Sequence, residues 1–177
     1  RRRKAVLRLP PGAEFRPALD EHGLLAQIQL DLGQVISAQP RPLYPNETWE
    51  AGYNNQLPRD AGGEWLVEYT AHPEARFTLP NGRGMPAAAL TAGGEEALRP
   101  VAPSHRRVTL RVVQKGSQRP LAVKLHIHGE AGEYLPPVDR HRIVNAGWYE
   151  DYSVDFTHQG KHPCAYINGE TRLDLPL

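Results

Sequence analysis

Apolar and polar residues alternate with a period of two along most of this chain. Leu24, Ala26, Ile28, Leu30 and Leu32 fall on one side, with Gln27, Gln29 and Asp31 on the other. That spacing predicts a strand with one buried face, because successive side chains of an extended backbone point to opposite faces. The same pattern recurs in Trp65, Val67 and Tyr69 around Glu68, in Phe77 and Leu79, in Val108, Leu110 and Val112 around Thr109 and Arg111, and in Tyr152, Val154 and Phe156. The clearest run is 121–128, where Leu121, Val123, Leu125 and Ile127 share one face and Lys124, His126 and His128 the other. Near the end, Asn168-Gly169 separates two strand-like runs, 164–167 and 171–175, and predicts a tight hairpin, because a type I′ turn needs φ > 0 at both central positions. Helical spacing is nearly absent. Only 86–90, with Pro86 at a first helical position and Gly93-Gly94 soon after, predicts a helix of a turn or two. Segments 39–60 and 129–151 read as long loops.

Many short strands joined by turns suit the 16 Gly and 17 Pro of the 177 residues. The expected fold is all-β, with two small β-sandwich-like units. The Pro-containing stretch 99–105 ahead of a fresh strand places the division between residues 1–105 and 106–177. An apolar content of 40% with 23% charged residues excludes a disordered chain. A net charge of +1, with no basic stripe after Arg1-Arg2-Arg3-Lys4, argues against a nucleic-acid binder. No apolar run reaches the ~18 residues of a membrane helix, so no membrane partner is expected. Cys164 stands alone, which excludes an internal disulfide, predicts a small buried hydrophobe and points to a reducing, cytoplasmic compartment. Asn46-Glu47-Thr48 matches a glycosylation acceptor, a common tripeptide that means nothing without secretion.

Candidate chemistry concentrates in the second half. His126 and His128 are two apart, so on a strand both imidazoles point the same way and can meet one ion. Glu130 and His141 complete the candidate metal set, for zinc or manganese, with Glu133, Asp139, His158 and His162 nearby. The competing reading is a polar strand face whose histidines bond neighbouring carboxylates, with no cofactor. The aromatic loops offer a second candidate site. Trp49 and Tyr53, or Trp148, Tyr149 and Tyr152 with Glu150, Asp151 and Asp155, are suited to stacking on a sugar ring and bonding its hydroxyls; alternatively these rings plug the edge of the core. No nucleophile motif and no phosphate-cradling glycine loop is present.

The segment 112–177, reading from VVQKGSQRPLAVKLHIHGE to YINGETRLDLPL, resembles the β region that precedes the catalytic domain of bacterial metallohydrolases of the polymerase-and-histidinol-phosphatase (CehA/McbA) type. With its glycine turn, Arg119-Pro120-Leu121 and the late Leu175-Pro176-Leu177, it also resembles carboxypeptidase-regulatory, transthyretin-like sandwiches. The resemblance implies a transthyretin-like second unit, incomplete at its C-terminus, whose edge beside 171–175 borrows a strand. It also implies that the catalytic metal ligands lie in a downstream domain, a partner of this region. In that family an acidic residue stands ahead of the His-x-His, where this chain has Lys124. The function expected is therefore a non-catalytic accessory module that recognises carbohydrate or cell-wall polymer for a hydrolase. The alternatives are a metal-dependent hydrolase built on His126 and His128, and a structural or oligomerising domain.

Overall fold

The computed structural model describes residues 2–8, 29–44, 58–78, 82, 84–92, 98–138, 156–158 and 162–176. Among them the fold is all-β. Its strands are β1 (Arg2–Arg8), β2 (Gln29–Leu43), β3 (Arg59–Thr78), β4 (Gly84–Pro86), β5 (Leu98–Pro100), β6 (Arg106–Arg111), β7 (Ala122–Leu125), β8 (Phe156–His158), β9 (His162–Asn168) and β10 (Glu170–Leu175). The expected short helix is a 3₁₀ turn over Ala87–Ala92, directly after Pro86. The chain divides into two compact units. Among the described residues the first holds those of 2–41 and 60–103, and the second those of 42–44, 58–59, 104–138 and 156–176.

In the first unit β2, β3, β1 and β5 lie side by side, with β4 on the far part of β3. β1 runs antiparallel to both neighbours, pairing Ala5 with Val67, Leu7 with Trp65 and Leu7 with Leu98. Opposed residues share a face, so one face collects Ala5, Leu7, Val67, Tyr69 and Leu98, which join Phe77, Met85 and Ala87 in the core. Phe77 meets Tyr69 edge-to-face at 4.8 Å. The opposite face is also covered, with Val6, Leu66 and Glu64 all buried. Strict alternation is a poor guide to such a strand.

Two expectations in this unit are corrected. The runs around Trp65 and Phe77 are a single strand that carries Pro73 in its length. Pro73 lies past Thr70, where pairing with β1 ends, so its missing N–H is not needed by that ladder. Leu32 is not on the buried side with Leu30. Its φ of +52° interrupts the extended chain and leaves it 62% exposed. The segments expected at 24–28 and at Leu79 lie outside the described residues.

In the second unit β6 pairs with β10, bringing Val108 opposite Leu173 and Leu110 opposite Thr171 on one face. On the other face Arg107 clasps Asp174 through two bonds of 2.9 and 3.0 Å, and Arg111 meets Glu170 at 3.3 Å. A three-stranded sheet, β7-β9-β8, stands beside this pair in the same unit. The expected 164–175 hairpin is not formed. β9 pairs with β7 and β8 while β10 pairs with β6, and of Asn168 and Gly169 only Gly169 has positive φ, +78°. A type I′ turn needs both residues there. Gly169 instead marks the passage from one sheet to the other, with its carbonyl accepting from Val112 N at 2.8 Å.

Within the expected 129–151 loop, the described residues begin with a hairpin. His128 bridges Tyr134, Leu135 N donates to Ile127 O, and the connection closes with Gly132 N on Gly129 O and Gly129 N on Glu133 O. Gly132, at φ +83°, takes the left-handed position that ends such a turn. On the edge beside 171–175, the described residues that pair with β10 on the side away from β6 come from within the unit. Pro137 bridges Leu173 and Val138 N donates to Arg172 O, opposite the side taken by β6.

Candidate functional site

The run carrying the two histidines is regular strand only to Leu125, after which the chain leaves β9 and enters the 128–134 hairpin. Val123, Leu125 and Ile127 are half-buried on one side while His128 is exposed on the other. His126 and His128 do share a side. Their ring centres are 5.3 Å apart, and His126 Nε2 lies 3.2 Å from His128 Nδ1.

This side is aromatic as well as polar, which the spacing of the histidines alone does not reveal. Tyr44 stacks on His128 at 4.2 Å and 23° and tilts against His126 at 4.5 Å. Tyr134, buried at 7% exposure, lies parallel to His126 at 5.7 Å and 14°. Tyr166, 60% exposed, is the register partner of Lys124, two residues before His126 on the same face. The spacing Gly129 to Gly132 between His128 and Tyr134 is the sequence signal for this hairpin, and so for the position of Tyr134. Nothing in the sequence announces Tyr44.

The hydrogen bonds set the tautomers. His126 Nδ1 is 2.6 Å from Pro163 O, an atom that can only accept, so Nδ1 carries the proton and donates. In the neutral ring Nε2 is then an acceptor, and His128 Nδ1 is the donor to it. The lone pair of His128 falls on Nε2. His128 is exposed as a residue, but partial desolvation of its ring, which Tyr44 covers on one face, holds its pKa below the usual 6.5, so the neutral form prevails at physiological pH. The result is a ring surface ending in a neutral acceptor fit for a ligand hydroxyl.

Of the other expected metal ligands, Glu130 is described and is not assembled with this pair. Among the described residues no three His, Cys, Asp or Glu side chains gather around one point. Glu130 is exposed on the hairpin turn, and the Glu133 carboxylate is buried against the Gly129 backbone. His158 and His162 are register partners across β8 and β9. His141 and Asp139 lie outside the described residues, as do the expected sugar-stacking residues Trp49, Tyr53, Trp148, Tyr149, Asp151 and Tyr152. Cys164 is buried, as expected.

Sequence reasoning also missed a charged cluster in the first unit, where Arg8, Arg41 and Arg99 surround buried Glu64. No helix among the described residues is long and apolar enough to cross a membrane. No family model, curated protein or solved structure matches the chain.

Proposed function

We propose that this chain is a non-catalytic binding module that recognises carbohydrate or cell-wall polymer through the ring face of its second unit. In this reading it serves a larger bacterial metallohydrolase of the type that 112–177 resembles. The observation that carries the proposal is the stack of Tyr44, His128, His126 and Tyr134, locked at one end by the Pro163 carbonyl. Sugars offer C–H faces to aromatic rings and hydroxyls to acceptors, and this face has both, with His128 Nε2 as the acceptor and the exposed Tyr166 ring further along. Rings held by their neighbours lose little freedom on binding, which favours recognition of a weakly hydrated face. The test is calorimetric titration of the full chain with soluble cell-wall oligosaccharides. Binding that weakens at least tenfold in Tyr44→Ala and in His128→Ala supports the reading; binding unchanged in both variants rejects it.

A metal site is the second reading, and one distance favours it. Two ring nitrogens 3.2 Å apart are spaced as adjacent ligands of one ion with bonds of ~2.1 Å would be. The carbonyl on His126 Nδ1 is the kind of outer partner that orients metal-bound histidine. Zinc retained stoichiometrically after dialysis, and lost in the His126→Ala, His128→Ala double variant, would favour it over the glycan reading.

A further inference from the structure

Four adjacent strands of the first unit each send one charged side chain to a common point: Arg41 from β2, Glu64 from β3, Arg8 from β1 and Arg99 from β5. Arg8 and Glu64 are register partners, so their side chains leave the sheet on the same face. Arg8 donates to Glu64 Oε1 from Nη2 at 2.8 Å and from Nε at 3.2 Å. Arg99 Nη2 donates to the same oxygen at 3.3 Å, and Arg41 Nη1 takes Oε2 at 2.5 Å. The carboxylate is thus gripped by three guanidinium groups.

Arg8 and Arg99 converge on one oxygen, an arrangement that places two like charges close together and is relieved by an added anion. These two are also the arginines that reach solvent, at 56% and 48% side-chain exposure, against 20% for Arg41. A guanidinium has five N–H donors in a planar fork, and Arg8 uses two on Glu64 while Arg99 uses one. Buried Val6 and Leu66 beside the cluster provide an apolar floor that strengthens a charged contact.

We propose that Arg8 and Arg99, pre-oriented by Glu64, form a binding site in the first unit for a phosphate-type anion. The paired oxygens of a tetrahedral anion match the fork of each guanidinium. Glu64 acts as the anchor: it holds both forks in place, so little side-chain freedom remains to be lost on binding.

The test uses the full chain, melted and titrated calorimetrically with inorganic phosphate, with glucose 6-phosphate and with sodium chloride at matched ionic strength. The expected result is a rise in Tm with either phosphate compound but not with chloride. Binding should weaken at least tenfold in Arg8→Ala and Arg99→Ala and stay unchanged in Lys115→Ala, on a turn of the second unit. Arg99→Lys, which keeps the charge and loses the fork, should fold and still bind severalfold more weakly. Equal affinity for both compounds assigns recognition to the phosphate group itself; preference for the ester assigns it to a phosphorylated organic ligand. No stabilisation beyond that of chloride, or binding unaltered in Arg8→Ala, Arg99→Ala and Arg99→Lys, would overturn the proposal and leave the cluster a structural ion network.

Discussion

Replacing Gly169 with Ala should destabilise the protein distinctly more than replacing Gly116 with Ala. Both glycines sit in the left-handed region, at φ +78° and +90°, so each substitution meets the same conformational penalty of roughly 1–2 kcal/mol. The loss of unfolded-chain entropy is also alike and cancels in the comparison. The surroundings differ. A Cβ at Gly116 would meet nothing within 4 Å, whereas at Gly169 it would stand 2.4 Å from Pro120 Cβ and 3.1 Å from Pro120 Cα. Proline cannot swing its ring away, so the backbone at 120–121 must shift, a form of overpacking that costs about 1–3 kcal/mol. The difference between the variants is therefore about 2 kcal/mol, or ~4–8 °C in Tm for a chain of this size. Thermal melts followed by circular dichroism provide the assay, with urea titrations as a check. Equal losses in the two variants would mean that Asn168-Gly169 is an open turn, and the separation of β9 from β10 into two sheets would have to be abandoned.

Three further perturbations probe other parts of the structure. Phe77→Ala, which empties a fully buried position against Tyr69, should cost about 3–5 kcal/mol in a urea titration, and a loss below 1 kcal/mol would remove Phe77 from the core. Burial alone would raise the pKa of Glu64, but bonds from Arg41 and Arg8 and the charges of Arg41 and Arg99 outweigh it and hold the carboxyl below its usual 4.5. Its stabilising contribution is thus complete above the unfolded value and is lost as pH falls through the lowered folded one. Glu64→Gln should therefore cost about 2–3 kcal/mol at neutral pH, with the gap to wild type closing in acid; a gap independent of pH contradicts the ion cluster. For His128 the folded pKa is depressed below 6.5, so the unfolded chain takes up the proton first and stability declines as pH drops from above 6.5 toward the folded value. His128→Asn should flatten that decline in urea midpoints compared at pH 7.5 and 5.5, and an unchanged slope would place the ring in water.

Where one face of a strand is core and the other is solvent, the sequence was legible. Val108, Leu110 and their partners on β10 obey it. Legibility failed where both faces are covered, since Glu64, Leu66 and Val6 are buried opposite the main core, and burial of a carboxylate depends on arginines up to 56 residues away in sequence. It failed again at Asn168-Gly169, because a dipeptide reports local backbone preference and not which strands will pair. The candidate site was half visible. Period-two spacing put His126 and His128 on one side, but Tyr44 arrives from a segment 82 residues before His126 in sequence, and the Pro163 carbonyl is an ordinary backbone atom until β9 pairs with β7.

The ring face of the second unit is proposed to bind glycan through Tyr44 and His128. Nitrogen-correlated NMR of the histidine rings reads it most directly, because it reports the tautomer of each ring and its response to ligand. Before ligand, His126 is predicted to be protonated at Nδ1 and His128 to be neutral with its lone pair on Nε2. On titration with soluble cell-wall oligosaccharides, the His128 Nε2 signal and, in a carbon-correlated spectrum, the Tyr44 ring signals should shift in proportion to occupancy, while those of Phe77 and Tyr69 stay in place. Saturable binding with the His128 and Tyr44 signals unmoved, or the opposite tautomer at His126, would contradict it.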